Sequence, residues 1–88
     1  MTFNIDDLKK KIIYRSTYRG TKEMDALISS FTKQIINDLN GDELINLSNL
    51  LDIDDENLYK FNQGLSPYVD IEKNKVSKLF KEFKYNKE

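Results

Sequence analysis

The sequence predicts an all-α fold, a small compact antiparallel bundle of about five helices, and three observations predict it. Apolar residues recur at three- and four-residue steps through most of the chain, the period of a helix with one buried face. No segment alternates apolar and polar side chains as a half-buried strand does. The chain is 88 residues long, which leaves room for one core and one domain, residues 1–88. Each helix in such a chain is too short to persist without its neighbours, so the helices must pack on one another.

The elements follow in order. Ile5, Leu8, Ile12 and Arg15 are spaced for a first helix over Ile5–Thr17, with Lys9, Lys10 and Lys11 mostly outward. Met24, Leu27, Ile28, Phe31, Ile35 and Leu39 form the strongest stripe and predict a second, longest helix over Thr21–Leu39. Asn40-Gly41 closes it and opens a third helix, Gly41–Leu51, in which Asn40 and Glu43 have the spacing of a capping box. Asp54 can cap a fourth helix that runs through Leu58, Tyr59 and Phe61 to a glycine stop at Gly64. Pro67 prevents its continuation, and Asp70 is expected to cap a fifth helix with the stripe Val76, Leu79, Phe80 and Phe83, the last few residues fraying. The expected core includes Leu27, Phe31, Ile35, Leu47, Leu51, Phe61 and Phe80.

Composition narrows the chemistry. The chain has no Cys and no His, which removes disulfides, the usual zinc ligands, thiol nucleophiles and the side chain best suited to proton transfer near neutral pH. An enzyme with its own nucleophile is therefore not expected, and no metal is. Asp52-Ile53-Asp54-Asp55-Glu56 superficially resembles a calcium loop, but Asn57 and Gln63 stand where such a loop needs glycine and a bidentate glutamate. No apolar run reaches the ~20 residues of a membrane span, so direct membrane insertion is not expected. The first residues, with acids ahead of the lysines, read as neither an export signal nor a transit peptide, and the expected location is the bacterial cytoplasm.

Charge is segregated although the net value is only −1. Asp38 to Leu58 holds seven acids and no base, whereas Lys73 to Glu88 holds six lysines against Glu82 and Glu88. Solvated faces of opposite sign, or an oriented protein partner, would each account for this. Nucleic acid is not expected at the lysine-rich end, which lacks the Arg, Asn and Gln that read bases. The densest cluster of interface-type residues is Tyr14-Arg15-Ser16-Thr17-Tyr18-Arg19-Gly20-Thr21-Lys22-Glu23-Met24-Asp25, at the junction of the first two helices. Gly20 suits a tight turn where a side chain would clash or φ must be positive. Glu23 could pair with Arg19 or cap the second helix; alternatively the segment is an exposed protein-binding surface.

Arg19-Gly20-Thr21-Lys22-Glu23-Met24-Asp25 resembles the R-G-x-x-E-x-D signature of the SdhE family, the small succinate dehydrogenase assembly factors also called flavinators. Ile12-Ile13-Tyr14-Arg15-Ser16 is similar to the helix that leads into that signature. Leu50-Leu51, Asp54, Asp55 and Leu58-Tyr59-Lys60-Phe61-Asn62-Gln63-Gly64 resemble the family's leucine pair, acidic turn and D-L-x-x-W-x-x-G segment. The resemblance covers Ile12 to Pro67 and finds no similar match in the last twenty residues. Thr21 replaces a usual methionine, Tyr18 stands where a basic residue is common, and Phe61 replaces a tryptophan while keeping an aromatic ring.

The resemblance implies a function. Members of the family bind the flavoprotein subunit of succinate dehydrogenase, and often of fumarate reductase, and promote covalent attachment of FAD to a histidine of that subunit. It implies that FAD belongs to the partner and that this chain binds no cofactor stably. Carried over residue by residue, Arg19, Gly20 and Glu23 would form the centre of the contact with charge-assisted hydrogen bonds, Asp25 would flank it, and Tyr14, Arg15 and Tyr18 would be its neighbours. The competing reading is a helical adaptor of another complex without flavinylation activity.

Overall fold

The structure, a computed structural model, describes residues 4–84. Helices α1 (Ile5–Thr17), α2 (Lys22–Ile35), α3 (Gly41–Leu50), α4 (Asp55–Asn62) and α5 (Lys75–Glu82) follow in chain order, with a 3₁₀ turn over Ile36–Asp38 and no strand among the described residues. Helix α1 lies against α2 and α3, while α5 is held by α3 and α4. The all-α prediction holds, and the fraying expected of the last residues falls outside the described range.

Local chemistry sets most of the boundaries. Asn4 opens α1 by accepting the Asp7 N–H at 3.1 Å. Asn40 and Glu43 form the expected reciprocal cap of α3, each backbone N–H donating to the other's side chain at 2.9 Å. Glu43 is held below its ordinary pKa, first by the Asn40 N–H and further by Lys75, whose ammonium lies 3.4 Å away. Gly64 ends α4 at φ 80°, with the Leu65 N–H reaching Lys60 O at 2.8 Å and the Gly64 N–H reaching Phe61 O at 3.2 Å. This paired closure needs the left-handed conformation that glycine adopts freely.

Two expected boundaries are corrected. Helix α2 stops being α-helical at Ile35, tightens into the 3₁₀ turn and gives way to extended backbone at Leu39. Its stripe still points inward, since Ile35, Ile36 and Leu39 are all buried. Helix α5 is capped by Asn74, not Asp70: Asn74 Oδ1 accepts the Ser77 N–H, and Ser77 Oγ accepts the Asn74 N–H. Residues ahead of that cap stay non-helical, and Ile71 packs against the core from the connection.

The core runs through all five helices and centres on fully buried Ile12, Ile28, Phe31, Leu44, Leu47, Leu58, Val76 and Phe80. Phe31 sits against Phe80 at 5.0 Å and Phe83 at 5.4 Å between ring centroids, in tilted and edge-on contacts favoured by the ring quadrupoles. Phe61, expected in the core, is only partly buried and stacks on Phe80 from outside. Ile5, on the expected α1 stripe, is 41% exposed. Buried Asn62 joins α4 to the end of α5, donating to Phe80 O at 2.8 Å and Phe83 O at 2.9 Å.

Candidate functional site

The site is built on the elbow between α1 and α2. The Tyr18 N–H still reaches Tyr14 O at 3.3 Å, after which the chain leaves helical geometry. Thr21 then caps α2, its side chain accepting the Met24 N–H at 3.1 Å. Between them the Arg19 N–H donates to Asp25 Oδ1 at 2.5 Å, tying the elbow to the first turn of α2. Asp25 is therefore a brace of the turn.

Arg19 points inward. Its Nε donates to Asp55 Oδ1 at 2.8 Å, and its two terminal nitrogens donate to the carbonyls of Leu51 and Ile53, each at 2.9 Å. Those carbonyls lie in the α3–α4 turn, whose oxygens the ending helix α3 leaves without intrahelical partners. The guanidinium fork satisfies two of them while pairing with the first residue of α4. With its side chain only 10% exposed, Arg19 neither pairs with Glu23 nor offers its guanidinium as an exposed anchor. It joins the turn after α1 to the turn after α3.

Gly20 is favoured here for a reason of space. Its φ is not positive, and a Cβ at this position would meet Asp55 Oδ2 at 3.0 Å. Nearby, Asp54 caps α4 and is held below its ordinary pKa, first by the side-chain amide of Asn57, which donates at 2.7 Å, and by the Asn57 backbone N–H at 3.4 Å. Arg15 reaches the same acidic turn, donating to Ser48 Oγ at 3.0 Å and pairing with exposed Asp52. Part of the acidic run is thus answered within the chain by the two arginines.

Of the elbow, Tyr14, Tyr18, Gly20, Thr21, Lys22 and Glu23 are left exposed to solvent. Tyr14 and Tyr18, 66% and 67% exposed, lean on each other with ring centroids 4.8 Å apart. Glu23 is exposed and forms no hydrogen bond or ion pair among the described residues. It stands at the mouth of an open groove of about 300 Å³ floored by Met24 and Leu27 and walled by Tyr59, Asn62 and Phe83. The structure therefore separates the seven expected residues: Tyr14, Tyr18, Gly20 and Glu23 face outward, while Arg15, Arg19 and Asp25 bond within the fold. The sequence reading missed Asp55, Leu51 and Ile53 as the partners of Arg19, and Tyr59 as the neighbour of Glu23 across the groove. Asp55 was in view as part of the acidic turn, but no local spacing links it to a residue 36 positions earlier.

In class, the fold and this site define a small all-α module whose outward polar face is built on an inter-helix elbow braced by an internal arginine. The family model described as flavinator of succinate dehydrogenase matches residues 10–84, and the chain belongs to that family. The match extends beyond Pro67 through the whole of α5, farther than the resemblance read from the sequence. The chain is 35% identical over 89 residues to the mitochondrial succinate dehydrogenase assembly factor 2 of Debaryomyces hansenii, covering 97% of this chain and 63% of the relative. It is 34% identical over 88 residues to the protein of the same name in Saccharomyces cerevisiae, covering 96% of this chain and 54% of the relative. The chain thus spans roughly half to three-fifths of the length of these curated relatives. No solved structure matches it significantly. No described helix is long and apolar enough to cross a membrane.

Proposed function

We propose that this chain is an assembly factor that binds the flavoprotein subunit of succinate dehydrogenase, and of fumarate reductase where that enzyme is present, and promotes covalent attachment of FAD to it. The observation that carries the reading is the family match through residues 10–84, which includes the whole elbow and its exposed Tyr14, Tyr18, Gly20 and Glu23. The chain contributes no histidine or cysteine to the chemistry. Its contribution is positional: by binding best to the arrangement in which the client's histidine faces the flavin, it raises the population of that arrangement. FAD stays with the client throughout, and the chain binds none of its own. Within the elbow, Glu23 and the two tyrosines touch the client, Gly20 permits close backbone approach, and Arg19 and Asp25 hold the shape that presents them. The cytoplasmic location expected from the sequence belongs to this proposal, the matched relatives being named as mitochondrial.

The test is reconstitution of the purified client apoprotein with FAD, with and without this chain, reading covalent flavin by fluorescence of the denatured subunit. Faster covalent incorporation together with a stable complex supports the reading. A complex without any gain in covalent flavin would favour a general adaptor.

A further inference from the structure

We propose that the lysine-rich groove where α4 meets α5 is a docking site for an acidic segment of a protein partner, with an apolar side chain of that segment seated among the lysine stems against Phe61. The groove, about 410 Å³, is lined by Phe61, Lys73, Asn74, Lys75, Ser77, Lys78 and Lys81 and shares no residue with the elbow. Asn74, Ser77, Lys78 and Lys81 fall on one helical stripe, at steps of three and four residues. The stems of the lining lysines and the partly buried Phe61 ring give an apolar floor, and the lysine ammonium groups give a cationic rim.

Charge complementarity identifies the occupant. Of the rim lysines, Lys75 alone has a carboxylate within ion-pair distance among the described residues, Glu43 at 3.4 Å. The Lys81 ammonium lies over the Phe61 ring at 5.8 Å from its centroid, and Lys73 and Lys78 face solvent. From Lys73 to Lys84 the chain has five lysines against Glu82 alone, so the unmatched charge is local and positive although the whole chain is −1. The densest acidic run of a second copy, Asp52 to Glu56, is a poor match, because Asp52 pairs with Arg15, Asp55 with Arg19, and Asp54 is held in its cap. A nucleic acid is also a poor match, since the rim has no arginine and the rest of the chain repels a long polyanion. A short acidic segment with one apolar residue fits both rim and floor, and the same pairing would steer its approach.

The inference does not depend on which protein the elbow binds. Its test is a titration of the full chain with a blocked peptide of sequence Glu-Glu-Phe-Glu-Glu, followed residue by residue by amide NMR. Shifts should map to Phe61 and Lys73–Lys81, and affinity should fall about tenfold when salt is raised from about 50 to about 500 mM. Both Lys78→Glu with Lys81→Glu, at exposed positions that leave the fold intact, and replacement of the peptide's phenylalanine by glycine should weaken binding by about tenfold or more. No binding, shifts elsewhere, an unchanged affinity in the charge-reversed chain, or tighter binding of a single-stranded oligonucleotide to the same residues would overturn the proposal.

Discussion

Arg19 Nε donates to Asp55 Oδ1 at 2.8 Å and so joins the signature at the α1–α2 elbow to the acidic turn before α4. Two segments that look like separate motifs in the sequence form one construction in space. Arg19→Ala would leave the carbonyls of Leu51 and Ile53 without their donor and Asp55 without its charge partner. It should lower unfolding free energy by about 2–3 kcal/mol in urea denaturation. Arg19→Lys should recover only part of this, because an ammonium cannot reproduce the fork. An Arg19→Ala protein as stable as wild type would show that the brace is idle.

Gly20→Ala brings a methyl group to 3.0 Å from Asp55 Oδ2, a carboxylate that Arg19 holds in place. The expected cost is about 1–2 kcal/mol, and it should largely vanish in an Asp55→Ala background, giving a measurable coupling in a double-mutant cycle. Equal costs in the two backgrounds would place the strain elsewhere.

Phe31 is 1% exposed and meets both Phe80 and Phe83. Phe31→Ala should cost about 3–5 kcal/mol, enough to unfold much of so small a domain at ordinary temperature. Thermal melts followed by circular dichroism would register it.

The caps of α3 and α4 make stability depend on acid. Glu43 and Asp54 are both held below their ordinary pKa values, by the Asn40 backbone N–H and by the Asn57 side-chain amide respectively. Because the folded-state values are depressed, this stabilisation is present above the ordinary carboxylate range and is lost as pH falls below that range through the folded-state values. Urea midpoints should fall from about pH 6 to about pH 3, and Glu43→Gln should flatten part of that fall.

Periodicity and capping made much of this fold legible from the sequence. The stripe from Met24 to Leu39 and the Asn40–Glu43 pair are local patterns, and local patterns survive into the structure. The end of α2 was misplaced because Ile36 and Leu39 stay buried through a 3₁₀ turn and an extended residue, so hydrophobicity alone did not mark where the helix stops. The start of α5 is hidden in the sequence because Asp70 offers a capping side chain after Pro67, whereas Asn74 followed three residues later by Ser77 is the pair that closes the first turn. At the elbow, residue types pointed to the right segment but not to the direction of each side chain. Arg19 and Glu23 are neighbours in sequence, yet one is drawn inward by a carboxylate and two carbonyls from a distant turn while the other remains in solvent. Only the tertiary fold decides that.

The most direct test of the central claim is Glu23→Ala, because Glu23 is exposed and bonds to nothing among the described residues, so its loss separates binding from folding. Melting should stay within about 0.5 kcal/mol of wild type, while affinity for the flavoprotein subunit should fall about tenfold or more, about 1.4 kcal/mol per factor of ten. Covalent flavin on the client, read by fluorescence of the denatured subunit, should drop in step at limiting concentrations of the factor. A folded Glu23→Ala protein that supports flavinylation at the wild-type rate and affinity would contradict the assignment of this face as the site of client contact.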